Sequence, residues 1–264
     1  MTSILALFEQ HEVWVLVCIG LLSLVAGFID SIVGGGGLIQ FPALSILYPN
    51  MSVPMVLGTN KIAGLSGTSV AAFTYAKRIK FDWKLLGIIS IFSFIASYFG
   101  AQLVSYINVA VLKPVVFFFL ILIALYTYFK KDFGTVTLQT TTKSKRYLYG
   151  SGLGIIIGFY DGFLGPGTGS FLVLGFIALL GFDFLEASAY AKMINCVTNI
   201  SALYVFITDQ NFCIEIAVIM AIANVIGSSI GSRMALLRGN HFIRKLFLVV
   251  VGILLLRYGY DVFY

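Results

Sequence analysis

Long apolar runs are the feature that most constrains how this chain can fold. They recur along its whole length, and each has roughly 18 or more residues, which is enough to cross a bilayer as a helix. Only 11% of the residues are charged, whereas a soluble domain carries about 25%. No polar stretch is long enough to form a soluble domain. The sequence therefore predicts an all-α polytopic membrane protein whose activity lies within the membrane.

The chain also repeats itself. Residues 27–36 read GFIDSIVGGG and residues 158–167 read GFYDGFLGPG, and the same offset matches Lys61 with Lys192. We expect residues 1–130 to form a first transmembrane repeat, 131–146 a cytoplasmic linker and 147–264 a second repeat. Each repeat holds four apolar segments, at 13–48, 53–76, 84–107 and 111–129 in the first and at 147–181, 185–208, 212–237 and 244–260 in the second.

The distribution of lysine and arginine predicts the orientation of these segments. The residues expected at the cytoplasmic face are Lys77, Arg78, Lys80, Lys84, Lys130, Lys131, Lys143, Lys145, Arg146, Arg238, Arg244 and Lys245. The basic loop at 77–80 aligns with the loop at 208–211, which has neither lysine nor arginine, and the loops at 107–112 and 238–243 show the opposite difference. Such reversal of charge between copies is typical of inverted repeats.

Inversion requires an odd number of crossings in each repeat. We therefore expect 13–48 and 147–181, both interrupted by glycines, to be re-entrant hairpins, each followed by three full crossings. The 181–186 turn does not fit well, because it should be cytoplasmic yet offers Asp183 and Glu186 and no base. The alternative is a topology of eight plain crossings with parallel repeats.

Two glycine-rich runs are the first candidate site. They comprise Gly34, Gly35, Gly36 and Gly37 in one repeat and Gly165, Pro166, Gly167, Thr168 and Gly169 in the other. Each glycine costs a helix interior about 1 kcal/mol relative to alanine, so the helices should stop there and restart near Leu38 and Ser170. The first N–H groups of a restarted helix have no partner and favour an anion. The other interpretation is close packing, which we prefer for the separate stripe Gly150, Gly154, Gly158 and Gly162.

Ionisable residues inside the apolar runs are the second candidate site, because charge within a membrane is usually functional. Lys61 and Lys192 lie roughly 12 Å along their helices and are expected to contact the substrate. Snorkelling to the nearer surface is the alternative. Asp30 and Asp161 are expected to be structural, as helix caps or lysine partners, although one that took up a proton would couple transport to the proton gradient. The amides of Asn60, Asn195 and Asn199 would add hydrogen bonds, whereas Arg233 is interpreted as an anchor near the cytoplasmic face.

Several classes of function are excluded on composition and pattern. The three cysteines are scattered and the two histidines lie at loop ends, so we expect no metal site and no cofactor. The chain has no HExxH motif, no clustered carboxylates and no Cys-His arrangement, which speaks against an enzyme. The net charge of +6 reflects the short basic clusters between apolar runs, so it indicates topology and not nucleic-acid binding. Nothing in the sequence indicates an oligomeric state.

Five stretches carry a family resemblance: AGFIDSIVGGGGLIQFPAL, GTNK, GFYDGFLGPGTGSF, AKMINCVTNI and GSSIGSRMA. Together they resemble the TauE/SafE sulfite-exporter family, among its bacterial YfcA-like members. The resemblance implies a bacterial inner-membrane transporter of sulfite, sulfonates or related sulfur-containing anions, commonly supposed to be proton-coupled. The second break has Pro166 and Thr168 where the first is all glycine, so the two half-sites need not be equivalent.

The leading functional hypothesis is therefore a secondary transporter that exports a small oxyanion. The anion would lie near the membrane midplane between two helix N-termini, with lysine side chains as counter-charges, and one repeat would rock against the other. Two alternatives remain open besides an enzyme, namely a passive anion channel and a non-transporting subunit of a membrane assembly.

Overall fold

A computed structural model describes residues 13–104, Gly134 and residues 142–263, with side chains up to residue 253. Every regular element in these ranges is an α-helix, as the apolar runs predict. The helices are α1 (Val13–Val33), α2 (Gly37–Leu47), α3 (Val53–Ala76), α4 (Trp83–Leu103), α5 (Lys143–Phe163), α6 (Thr168–Leu180), α7 (Phe184–Thr208) and α8 (Ile214–Phe263). The segment predicted at 111–129, the loop at 107–112, most of the linker and Lys130 and Lys131 lie outside the described residues.

Both glycine runs interrupt the helices, as predicted. α1 ends at Val33 and α2 begins at Gly37, while α5 ends at Phe163 and α6 begins at Thr168. The new helices thus begin one and two residues earlier than expected. Gly34 and Gly35 have φ of 79° and 98°, and Gly165 and Gly167 have φ of 81° and 89°. Glycine adopts this left-handed conformation at no steric cost, whereas other residues are strained there.

The surface of the helices is apolar and the interior holds the polar groups. Four helical segments in the described residues are long and apolar enough to cross a membrane, namely Val13–Val33, Trp83–Leu103, Phe184–Thr208 and Ile214–Ile253. On α1 the exposed side chains include Val17, Leu21 and Val25, which recur every four residues on one face. Contiguous exposed apolar faces of this kind need a lipid environment. This arrangement is typical of a multi-pass membrane protein.

The glycine stripe of α5 is a packing surface, as we expected for it. A Cβ atom on Gly162 would overlap the carbonyl oxygen of Ser97, and one on Gly158 would lie 2.8 Å from the backbone of Ser93. Both serines belong to α4. Small residues thus allow α4 and α5 to approach closely, as is usual between membrane helices.

Helix packing follows the internal repeat, because α1 packs mainly on α8 and its counterpart α5 packs mainly on α4. The matched helices α3 and α7 pack on each other at the centre. α3 and α7 run in opposite directions, since their contacting pairs are Gly58 with Phe206, Gly64 with Asn199 and Ser69 with Cys196.

The remaining helices follow two directions. α1 and the first part of α8 are parallel, with contacts of Gly20 with Ile219, Gly27 with Asn224 and Phe28 with Gly231. α3 and α8 are also parallel, with contacts of Thr59 with Cys213 and Gly67 with Asn224. α4 and α5 form the corresponding parallel pair, with contacts of Ile89 with Gly150 and Ser97 with Gly162.

Contacts between helix ends bring the basic clusters of the described chain to one end of the bundle. The backbone N–H of Asp82 donates to the hydroxyl of Tyr190 at 2.6 Å, and that of Leu185 donates to Asn240 Oδ1 at 2.8 Å. The guanidinium of Arg146 lies 5.5 Å from the ring centroid of Phe182. The 181–186 turn, which has no base of its own, therefore lies at the same end as the basic loops that flank α4, α5 and the kink of α8.

Candidate functional site

The two glycine breaks meet inside the helix bundle. A Cβ atom on Gly34 would overlap the backbone of Gly169 and Ser170, and Ser170 Oγ donates a hydrogen bond to the carbonyl oxygen of Val33 at 3.2 Å. On the other side of the contact, a Cβ atom on Gly37 would lie 3.2 Å from Pro166 Cα. The glycines are therefore needed for close backbone approach as well as for their φ angles.

α2 and α6 begin in an unusual way for this protein. α3, α4 and α7 begin after Ser52, Asp82 and Asp183, whose side chains each accept a hydrogen bond from the first helical turn. α2 and α6 instead begin after Gly36 and Gly167, which offer no capping side chain.

Backbone donors are consequently free at the breaks. Among the residues that the structure describes, the N–H groups of Gly35, Gly167 and Gly169 donate to no partner. Unpaired amides at a helix N-terminus carry the positive end of the helix dipole, so the two breaks together can bind an anion.

The four charges predicted inside the membrane form two ion pairs. Lys61 Nζ lies 2.8 Å from Asp161 Oδ1, and Lys192 Nζ lies 2.8 Å from Asp30 Oδ2. Each aspartate thus pairs with the lysine of the other repeat. Snorkelling is wrong for both lysines, because Lys61 is only 4% exposed and Lys192 is fully buried. The aspartates have the structural role of lysine partners that the sequence favoured.

The ion pairs leave the centre of the bundle without net charge. Two lysines and two aspartates sum to zero when all four are ionised. Desolvating such charges is expensive, and only good geometry and further hydrogen bonds offset the cost. An additional anion at this place would therefore carry an uncompensated charge unless a positive charge entered with it.

A cavity of about 40 Å³ lies at the junction of the two breaks and the ion pairs. Of the residues singled out in the sequence, the cavity is lined by Asp30, Gly35, Gly37, Asn60, Lys61, Asp161, Gly165, Gly167, Thr168, Gly169, Asn195 and Asn199. Gly34, Gly36 and Lys192 do not line it, and Arg233 lies exposed on α8 away from it. The residues that the sequence did not single out are Gln40, Gly64, Thr68 and Asn224. Gln40 and Asn224 carry a signal that could have found them, since each is an amide within an apolar helix.

Unpaired polar atoms are concentrated around this cavity. Gln40 Nε2, Asn60 Oδ1 and Asp161 Oδ2 are buried and have no hydrogen-bond partner within the described part of the chain. All three residues line the cavity. Buried polar groups are almost always hydrogen-bonded in folded proteins, so the cavity is suited to a polar ligand that both accepts and donates hydrogen bonds.

Comparison with known proteins assigns the chain to a family. Residues 19–258 match the model described as "Sulfite exporter TauE/SafE", and this range contains both breaks, both ion pairs and all of the cavity. The chain belongs to the TauE/SafE family. No solved structure matches it.

Individual TauE/SafE relatives are similar over nearly the whole chain. A "Probable membrane transporter protein ORF9" of Sinorhizobium sp is 38% identical over 88% of this chain and 87% of its own length. A "Probable membrane transporter protein" of Haemophilus influenzae is 32% identical over 94% of both chains. "Probable membrane transporter protein YfcA" of Escherichia coli is 34% identical over 90% of this chain and 87% of its own length.

Membership in the TauE/SafE family makes this chain a membrane transporter with a small-molecule substrate. The family model and the apolar helices together establish a multi-pass membrane protein. The broken helices, the crossed ion pairs and the polar cavity are the features of this structure from which its substrate chemistry can be argued.

Proposed function

We propose that this chain is a secondary transporter that exports sulfite, sulfonates or related small sulfur-containing anions across the bacterial inner membrane. The observation that carries the proposal is the buried polar cavity at which two interrupted helices direct unpaired backbone N–H groups beside a buried lysine. The name of the family model supports a sulfur oxyanion as the class of substrate.

The cavity supports a small substrate. Its volume is about 40 Å³, and since one water-sized sphere fills about 10–15 Å³ on this measure, it holds roughly three waters or one small oxyanion. The available donors are Lys61 Nζ, the unpaired amide nitrogen of Gln40 and the N–H groups of Gly35, Gly167 and Gly169. An oxyanion with three or more oxygens can accept from several of these at once.

Inverted repeats are the topology that we propose, with units at 1–130 and 147–264 joined by a cytoplasmic linker at 131–146. The opposite directions of the matched helices α3 and α7 support it, because parallel repeats would run them in the same direction. The parallel arrangement of α1 and α3 supports re-entrant hairpins at 13–48 and 147–181, since the chain has to return between these helices. The basic end of the bundle would face the cytoplasm.

Cysteine labelling tests this topology. The native cysteines Cys18, Cys196 and Cys213 are first replaced with alanine, and single cysteines are then placed at the exposed positions Asn50, Gln210, Lys77 and Lys143. In intact cells a membrane-impermeant maleimide is expected to label Asn50→Cys and Gln210→Cys and to spare the other two until the membrane is permeabilised. Parallel repeats would place positions 50 and 210 on opposite sides, so labelling of one without the other would contradict the inverted arrangement.

Proton coupling follows from the charge balance. The two ion pairs sum to zero, so an anion that enters alone adds an uncompensated negative charge in a poorly hydrated place. A proton bound by Asp30 or Asp161 would neutralise that carboxylate and release its lysine to bind the anion. The proton and the anion then bind together, and the membrane potential acts only on their summed charge at about 2.3 kcal/mol per elementary charge and 100 mV.

Binding of oxyanions is expected to stabilise the purified protein. A ligand that binds only the folded state adds about 2.7 kcal/mol to the free energy of unfolding at a concentration 100 times its Kd. Sulfite and small sulfonates should therefore raise the thermal unfolding temperature in detergent, whereas chloride at the same ionic strength should not. A matched control is Lys61→Ala/Asp161→Ala, which removes both charges of one pair and should lose the stabilisation.

Flux measured in proteoliposomes separates the transporter from its alternatives. The proposal predicts sulfite flux that responds to an imposed pH gradient. A flux that ignores the pH gradient would favour a passive anion channel with the same pore. Purified protein that moves no anion would favour a subunit of a larger membrane assembly.

A further inference from the structure

The two carboxylates of the ion pairs occupy matched positions but have different hydrogen-bond partners. Asp30 receives three donors, namely Lys192 Nζ at 2.8 Å, the backbone N–H of Gly36 at 3.1 Å and Thr68 Oγ1 at 3.4 Å. Asp161 receives only Lys61 Nζ at 2.8 Å among the described residues. The charged form of Asp30 is thus supported on both oxygens, while that of Asp161 is supported on one.

The cause of this difference lies in the sequence of the second repeat. The residue that matches Thr68 is Asn199, whose amide nitrogen donates to Asn195 Oδ1 at 2.8 Å and not to Asp161. The residue that matches Gly36 is Gly167. Gly36 has helical angles, with φ −55°, whereas Gly167 has φ 89° after Pro166, and its N–H does not donate to Asp161.

The unsupported oxygen of Asp161 is buried beside the cavity. Asp161 is 2% exposed, and its Oδ2 atom has no partner within the described ranges. Leaving a buried acceptor unpaired costs about 1–3 kcal/mol, and more when the group is charged. A proton on Oδ2 removes this charge and turns the unpaired acceptor into a hydroxyl donor that faces the cavity.

We propose that Asp161 is the single carboxyl group that takes up the coupled proton, and that Asp30 stays ionised as the fixed partner of Lys192. This inference rests on the proposed anion transport and assigns its coupling site. The proton binds to Asp161 Oδ2, and the neutral carboxyl group no longer holds Lys61 by charge. Lys61 Nζ then donates to the anion in the cavity. One proton and one monoanion enter together, so the total charge of the site is unchanged.

Other titratable groups do not compete with this assignment. Lys61 on α3 is the charged group in contact with Asp161. Of the helices packed on α5, α6 carries no titratable side chain. α7 contributes Lys192, which is bound to Asp30, and Cys196, which contacts Ser69, while α4 contributes Lys84, which lies over the Tyr147 ring, and Tyr98, which accepts from Gln102.

Infrared difference spectroscopy tests the assignment without any anion. Purified protein in lipid vesicles is titrated from pH 8 to pH 5, and the carbonyl band of a protonated carboxyl group is followed. The band is expected in the wild type and absent from Asp161→Asn. A band that persists in Asp161→Asn with the wild-type amplitude would overturn the assignment.

Two matched substitutions at one repeat position keep the test independent of variants that fail to fold. Asn199→Thr gives Asp161 the hydroxyl donor that Asp30 has, so the midpoint of the band should move to lower pH. Thr68→Val removes a donor from Asp30 and should leave the midpoint unchanged. A midpoint that follows Thr68→Val and ignores Asn199→Thr would assign the proton to Asp30 instead.

Anion binding then separates this inference from the proposed function. Methanesulfonate is a suitable probe because it stays ionised over this pH range. Above the midpoint its affinity for the wild type should fall about tenfold per pH unit, as expected when one proton binds with the anion, and Asp161→Asn should show no pH dependence. Absence of all anion binding together with an Asp161-dependent band would contradict the proposed function alone. A pH-dependent affinity that survives in Asp161→Asn would overturn the coupling assignment alone.

Discussion

Anion flux in proteoliposomes is expected to disappear when Lys61 and Lys192 are both replaced with alanine. The substitution removes the two positive charges from the centre of the bundle and leaves Asp161 and Asp30 as unpaired carboxylates. Two negative charges beside the cavity repel an anion, and the donor that lies at the cavity wall is lost. Initial rates of sulfite uptake into vesicles provide the measurement.

Folding has to be controlled in this experiment, because breaking one buried ion pair costs about 3–5 kcal/mol. Lys61→Ala/Asp161→Ala removes a complete pair and leaves no unpaired charge. Since a hydrogen bond to a charged group contributes about 1.5–3 kcal/mol, we expect the flux of this variant to fall about 10- to 100-fold.

An exposed lysine provides the comparison. Lys77→Ala, at the basic end of the bundle, removes a lysine that lies over the ring of Phe73, and it should keep wild-type flux. Unchanged flux in Lys61→Ala/Asp161→Ala would remove Lys61 from the site.

Gly34→Ala is expected to abolish the folded state or to lower its thermal unfolding temperature strongly. Gly34 has φ of 79°, and a Cβ atom there would overlap the backbone of Gly169. The left-handed conformation costs a non-glycine residue about 1–2 kcal/mol, and overpacking adds about 1–3 kcal/mol. Neither term can relax cheaply, because the overlapping atoms belong to the backbone of the second break.

Gly152→Ala is the matched control for this substitution. Gly152 lies within α5, and a Cβ atom there would have no neighbour within 4 Å. Alanine favours a helix over glycine by about 1 kcal/mol, so the unfolding temperature should be unchanged or slightly raised. Equal effects of the two substitutions would show that the close contact of the breaks contributes nothing to stability.

The positions of the broken helices could be predicted from sequence because glycine acts locally. Four successive glycines cannot continue a helix without a large conformational cost, whatever surrounds them. The break at Gly34 and the restart at Gly37 follow from this local property. The meeting of the two breaks in space does not, because it depends on how the two halves of the chain pack.

The ion pairs show the same division between local and non-local information. The repeat identified Asp30, Lys61, Asp161 and Lys192 as equivalent residues and placed them inside the membrane. Their partners join residues that are far apart in sequence, and each pair crosses between the two repeats. A sequence repeat gives the equivalence of positions but not which copy faces which.

The differences between the two halves of the site depend on side-chain geometry. Thr68 and Asn199 match in the repeat and both can donate a hydrogen bond, so the sequence alone gives no reason to separate them. In the structure the threonine donates to Asp30, and the asparagine donates to Asn195. The approach of Thr68 and Gln40 to the cavity was likewise missed, because neither residue is ionisable or part of a glycine break.

Anomalous diffraction from crystals grown with selenite tests the central claim most directly. Selenite has the shape and charge of sulfite, and its selenium atom gives an unambiguous peak. The account predicts one strong peak in the cavity, within hydrogen-bonding reach of Lys61 Nζ and of the N–H groups of Gly35 and Gly169. A peak confined to the surface of the bundle, or continuous helix through residues 34–37 and 165–169, would contradict it.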